Sequence, residues 1–263
     1  MSVFRVSLGP GEVSGWRHRF DGAEQVAFVV SGDGVAIDAD GGRFPVAADS
    51  VVMCADGGPA GGFEAGESGL VVVWCEVSTD AFPRRRDVVE GPVPGGVVPA
   101  APPVVLDYRD VEPVRRQRGE VRNVWYRLGP HAGFVASSAG VMDVEANARS
   151  NVPHCHTAEE ELFVVLEGDA KLELTPTAPE GVAGLPPDPI EEQTVKTGDV
   201  VVRSAGTGIS HSFLTGAEGL RLFAYSRRDS TDICYYPRSG KISIRGVRGV
   251  FPVSRTDYWT GEG

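Results

Sequence analysis

The sequence predicts an all-β protein. Three observations carry that reading: apolar runs that are short and β-branched, turn residues at their boundaries, and an almost complete lack of capped helical periodicity. In chain order the runs are "QVAFVVSG" from Gln25, "SVVMCA" from Ser50, "GLVVVWCEV" from Gly69, "ELFVVLEG" from Glu161, "DAKLELT" from Asp169, "QTVKTGDVVVRSAG" from Gln193 and "LRLFAYS" from Leu220. Many short strands with frequent turn signals belong to β-sandwiches or barrels.

Two segments interrupt the strands. "DAFPRRRDVVEGPVPGGVVPAAPPVVL", from Asp80 to Leu106, is rich in Pro and Gly and reads as an extended linker. "TPTAPEGVAGLPPDPIEE", from Thr175 to Glu192, has too many prolines for a central strand and reads as a surface loop, either a lid or an inert excursion. At 263 residues the chain has room for one large or two ordinary domains. The expected divisions are residues 1–80, a linker 81–106, a second domain 107–229 and an extension 230–263 that packs back on the domains.

A formal net charge of −11 argues against nucleic acid or an anionic membrane as partner. The basic runs Arg84–Arg86 and Arg115, Arg116 and Arg118 are short enough to be solvated faces or ion pairs. No stretch approaches the roughly 20 apolar residues of a membrane span. The first residues lack the basic start and apolar core of a signal peptide, so a cytoplasmic protein is expected. Cys54, Cys75, Cys155 and Cys234 show no paired spacing and read as reduced, buried thiols.

The chemistry concentrates in "NVPHCHTAEEELFVVLEGDAKLEL", from Asn151 to Leu174. The chain has five histidines, and two of them, His154 and His156, flank one residue. In an extended segment these two point to one face and Cys155 to the other. After a short turn, Glu161, Phe163 and Val165 share a face of the next strand. His211 follows the Gly-rich "RSAGTGIS" into another strand. Three neutral imidazoles and one carboxylate form a divalent-metal site with positions left open for substrate.

The spacing resembles the first motif of the cupin superfamily: His154-Cys-His156, four residues, Glu161, six residues, Gly168, with Ala148 in place of the leading glycine. The second motif is looser: Gly198 and Gly206 fit, Ser204 replaces the proline, His211 follows Gly206 by two extra residues, and Thr215 stands at the asparagine. The choice of Glu161 over Glu159 or Glu160 rests on the spacing to Gly168. The resemblance implies double-stranded β-helix (jelly-roll) barrels and one divalent metal per chain, with Fe2+ expected first and Mn2+, Zn2+, Ni2+ or Cu2+ as alternatives.

The same spacing recurs upstream as His18-Arg-Phe20, four residues, Gln25, six residues, Gly32, and aligning the following segments sets Gly62 opposite His211. Phe20 and Gln25 replace ligands, so two cupin-type barrels are expected, the first degenerate and the second metal-competent. The aromatic, basic C-terminal segment would either cover the barrels or, through Tyr235, Tyr236, Arg238 and Lys241, receive an anionic substrate.

Fold does not fix function. The first expectation is a dioxygenase-like oxidoreductase acting on a small molecule. The second is a non-redox isomerase, lyase or hydrolase in which Glu159 or Glu160 moves a proton, Glu160 being the candidate chosen. The third is a non-catalytic small-molecule binder. Phe163, Val165, Phe213, Phe223, Tyr225 and Arg238 are candidate substrate contacts, and a homodimer is a possible assembly.

Overall fold

The structure is a computed structural model that describes residues 1–15, 23–38, 40–55, 61–78, 102–176, 191–254, 256 and 259–261. It is all-β, as expected, with three short 3-10 turns and no α-helix among the described residues. Among the described residues no helix is long and apolar enough to cross a membrane. The chain separates into two compact units, Met1–Glu112 with Arg127–Ala139, and Pro113–Tyr126 with Gly140–Gly263.

The first unit holds β1 (Ser2–Leu8), β2 (Val13–Gly15), β3 (Ala23–Ile37), β4 (Arg43–Ala47), β5 (Ser50–Cys54), β6 (Gly62–Ser78) and β7 (Val104–Asp107). They form one sheet in the order β1-β6-β3-β5-β7, with β2 on β6 and β4 on β3. The end of the Pro/Gly-rich segment is therefore a strand of this sheet, because Val104–Asp107 pairs with β5. Residues 81–101 of the expected linker lie outside the described residues. Glu24 draws in the stretch around Ala136: its buried carboxylate accepts from Ala136 N at 2.9 Å and from Ser137 Oγ at 2.6 Å.

The remaining strands are β8 (Val114–Arg118), β9 (Val121–Arg127), β10 (Ser137–Val144), β11 (Cys155–His156), β12 (Glu161–Pro176), β13 (Glu191–Lys196), β14 (Val200–Arg203), β15 (Ile209–Arg227), β16 (Ile233–Tyr236), β17 (Lys241–Ile244) and β18 (Gly249–Pro252). One sheet runs β13-β12-β15-β10-β9-β8, with β14 on β12. Another runs β11-β16-β17-β18, so the C-terminal extension is a sheet built onto the His154–His156 segment.

Each unit is organised around one long antiparallel pair, β3 with β6 and β12 with β15. The two pairs break register at matching places, Val29/Ser31 and Gly32/Gly34 in one, Val165/Glu167 and Gly168/Ala170 in the other. Gly32 and Gly168 have φ of +88° and +87°, and a Cβ on either would overlap a carbonyl oxygen of the facing strand, that of Gly69 or Gly219. Only glycine meets both demands, which explains why a glycine closes each motif copy, with six residues between it and Gln25 or Glu161. The register corrects the upstream alignment by one residue: Phe63 and Phe213 occupy matching rungs, which puts Gly61, not Gly62, at the level of His211.

A buried ion pair ties the loop before His154 to β12. The guanidinium of Arg149 engages the Glu173 carboxylate (Nη2–Oε1, 2.9 Å), and both side chains are less than a tenth exposed. Replacing Glu173 by alanine leaves that cation buried with only the exposed Glu120 carboxylate at 2.7 Å. We expect a loss of about 3 kcal/mol, read as a lower urea midpoint with an unchanged slope.

Candidate metal centre

The loop from Asn147 to Pro153 is pinned at several points. Asn123 Nδ2 donates to Ser150 O at 2.5 Å, Phe213 N donates to Ser150 Oγ at 3.1 Å, and Ser212 Oγ donates to Asn151 O at 2.8 Å. Two of the departures from the motif pattern meet here: Ala148 N donates to Thr215 Oγ1 at 3.0 Å, and Thr215 N donates back to Ala148 O at 2.9 Å. The loop then delivers His154 to β15, where His211 N donates to His154 O at 2.9 Å and His154 N to His211 O at 3.3 Å.

His154, Glu161 and His211 each offer a ligand atom within 4.8 Å of the other two. Glu161 Oε2 lies 3.1 Å from His211 Nε2, yet both atoms are buried and neither has a hydrogen-bond partner. His156, the fourth expected ligand, lies beside them, with Nε2 3.7 Å from the same Glu161 oxygen and its ring centroid 5.1 Å from that of His154. Buried polar atoms are almost always satisfied in proteins, so two orphans facing each other mark a place for a cation. Imidazole nitrogens and a carboxylate are the donor set of Zn2+, Mn2+ and Fe2+ sites, and the residues present fit such an ion.

Protonation supports the same use. Burial pushes His154 down to about 4, so it stays neutral near pH 7, and its Nδ1 is bonded to Val152 O at 2.8 Å, leaving Nε2 for a ligand role. Burial would raise the Glu161 carboxyl, but the imidazoles of His211, His154 and His156 close by outweigh it and hold the group below the ordinary carboxylate range.

His156 differs. Burial would lower its pKa, but the bond to Asp232, with Cys234 and Glu161 nearby, wins and pushes it up to about 11. A raised pKa means an imidazolium at pH 7.5, whereas a ligand must be neutral. Metal entry is therefore expected to expel about one proton per ion at that pH, and affinity to rise with pH up to that pKa. Calorimetry in buffers of different ionisation enthalpy counts the protons.

No motif in the chain points to Asp232. Its Oδ2 lies 2.7 Å from His156 Nδ1, while Oδ1 accepts from Ala158 N at 3.0 Å and Glu159 N at 3.3 Å. The extension also grips the turn through Ile233 N to Thr157 Oγ1 at 2.8 Å and an ion pair of Arg245 with buried Glu159. Seventy-six residues separate His156 from Asp232, so no local spacing announces the pair.

A narrow cleft opens beside the donors, lined by His156, Glu159, Glu161, Arg203, Ile209 and His211 among others. Glu160 is not among its lining residues; the additional carboxylate there is Glu159, 3.9 Å from His156 Nδ1, whose pKa burial raises. Cys155 joins no ligand-spaced group among the described residues, whereas Cys234, facing His156 in the β11–β16 ladder, groups with His154 and His156.

The expected substrate contacts are placed elsewhere, with one partial exception. Phe163 packs against the His211 ring at 5.7 Å and against Phe213 at 5.2 Å, and with Val165 both belong to the apolar core. Phe223 and Tyr225 alternate with Ala224, the rung partner of Phe163, so they point away from that core face and are fully buried. Arg238 reaches Glu173 at 3.4 Å and does not line the cleft. In the first unit, Gln25 is buried opposite Glu76, and no ligand-spaced group occurs among the described residues. His18 and Phe20 lie outside them.

Comparison with family models and with curated protein sequences finds no match. Solved structures do match. A protein of Pseudomonas aeruginosa described as glyoxylate-induced superposes with a TM-score of 0.59 at 18% identity, over 85% of this chain and 72% of that one. Oxalate decarboxylase from Lactobacillus farciminis gives 0.58 at 17%, over 86% and 76%, and protein Ylba from E. coli 0.56 at 16%, over 86% and 77%. The fold is a cupin fold. At these identities the likeness concerns the fold alone, and the chemistry is argued from the cleft.

Proposed function

We propose that this cupin is a metal-dependent enzyme acting on a small molecule, an oxidoreductase of dioxygenase type. The observation that supports it is the pair of buried, unpartnered donors, Glu161 Oε2 and His211 Nε2, converging with His154 on one cleft. With His156 as fourth ligand, the four residues would hold the ion and leave it room to take substrate and oxygen. Fe2+, the first choice of metal, supplies Lewis acidity and an electron source when bound. The protein's part is to hold His154 and His211 through their shared backbone bonds, to orient His156 through Asp232, and to restrict access through a small cleft. We further propose two cupin barrels in the chain, the first without ligands, its Gln25 standing where Glu161 stands in the second.

A non-redox isomerase, lyase or hydrolase is the second reading, favoured by the buried Glu159 carboxyl on the cleft wall as a proton carrier. An oxygen electrode separates the two. Fe2+-loaded protein given a panel of small polar acids and alcohols should consume oxygen in step with product, and His156→Ala should abolish it. Product formed equally well without oxygen would establish the second reading instead.

A further inference from the structure

The C-terminal sheet brings a second kind of donor to the same histidines. In the β11–β16 ladder Cys234 stands directly opposite His156, so its thiol and that imidazole share a face. Two residues on, Tyr236 stacks on the His154 ring at 5.9 Å with 29° between the planes, which sets β16 alongside both imidazoles. Strand β16 is held between β11 and β17, with Ser243 on the far side of Cys234, so the thiol sits on a sheet and not on a loop. Cys234 is buried, and Cys155, one residue before His156, belongs to the opposite strand face.

His154, His156 and Cys234 each offer a ligand atom within 4.8 Å of the other two, and so do His154, Glu161 and His211. The donors thus form two triads that meet at His154. That imidazole is nine-tenths buried, and its Nδ1 is taken by Val152 O at 2.8 Å, which leaves Nε2 as its one ligand atom. Among the described residues Nε2 has no hydrogen-bond partner. One nitrogen lone pair serves one ion, so the two triads exclude each other. They also differ in softness: a carboxylate with imidazoles suits Mn2+ or Fe2+, whereas a thiolate with imidazoles suits thiophilic ions such as Cd2+, Zn2+ and Cu+.

We propose that Cys234 is a metal ligand, and that His154, His156 and Cys234 form a second site, selective for thiophilic ions, which competes with the first triad for His154. An ion held there occupies the one free nitrogen of His154 and keeps Mn2+ or Fe2+ off Glu161 and His211. Binding releases the thiol proton, because the ligand is the thiolate. The inference goes beyond the enzyme reading and is tied to it only through the shared histidines.

The test titrates the whole chain, dialysed free of metal, with Cd2+ and follows the thiolate-to-metal charge-transfer band in the ultraviolet. One equivalent of Cd2+ should develop the band, and Cys155→Ser should keep it. Cys234→Ser should abolish it and weaken Cd2+ at least about tenfold, while Mn2+ affinity stays within a factor of about two. Cd2+ should also displace Mn2+ one for one, read from the paramagnetic resonance signal of released Mn2+. Absence of the band, its persistence in Cys234→Ser, an equal loss of Mn2+ affinity in that variant, or Cd2+ and Mn2+ bound together would each overturn the proposal. Should Cys234→Ser fail to fold, the unaltered protein decides: Cd2+ should shield Cys234 from alkylation, mapped by peptide mass spectrometry with Cys155 as reference. Cd2+ binding with the band but no Mn2+ uptake would remove the first triad and keep the second. Mn2+ uptake with no band would do the reverse.

Discussion

Replacing His211 by alanine is expected to cost the protein its metal, with affinity falling by more than about 100-fold, beyond the range seen when only a ligand's supporting partner is lost. The imidazole is buried, and its Nε2 faces Glu161 Oε2 with nothing else to bond. Its removal therefore deletes a donor without freeing a hydrogen bond elsewhere. The backbone bonds between residues 154 and 211 do not involve the side chain, so the strand should remain in place. Metal analysis after dialysis, beside a circular dichroism spectrum, reads both quantities. Glu160→Gln is the matched control, because Glu160 is not part of the cleft wall and its loss should leave metal content within a factor of about two. A His211→Ala protein that retains stoichiometric metal would refute the ligand assignment.

Asp232→Asn is the second large effect, and it separates orientation from folding. Asparagine keeps an oxygen for the Ala158 and Glu159 amides, so the turn should hold. It presents an NH2 group to His156 Nδ1, where the carboxylate accepts at 2.7 Å. That donor selects the tautomer protonated on Nε2, the nitrogen that faces Glu161. Metal affinity should fall by about 10- to 100-fold. Without the carboxylate, the His156 pKa falls from its raised value toward the ordinary imidazole range. The proton expelled on metal binding near pH 7.5 should then largely disappear. Unchanged affinity together with an unchanged proton count would show that Asp232 is only a structural clasp.

Much of the site was legible because its geometry is local. Strand parity places His154 and His156 on one face, and six residues from Glu161 to Gly168 span the strand up to a bulge that only glycine fits. The inward Arg203 had a signal too, a charged residue in step with Val201 on an otherwise apolar strand, although no motif draws attention to it. The places of the aromatic candidates were not legible, for a related reason. Alternation tells which residues share a face, but not that the Phe163 face is core or that Phe223 and Tyr225 belong to the other one.

By itself the sequence determined the strand-rich fold, the repeated motif and the residue types able to hold an ion, since each depends on spacing within one segment. Tertiary structure decided what spacing cannot encode. It set Asp232 behind His156, aimed Arg203 beside Glu161, gave the cleft Glu159 instead of Glu160, and turned the C-terminal segment into a sheet that carries the ligand turn. The physical reason is common to all four: hydrogen bonds and charge pairs act over a few ångströms in space, and the residues they join here come from strands and turns far apart in the chain.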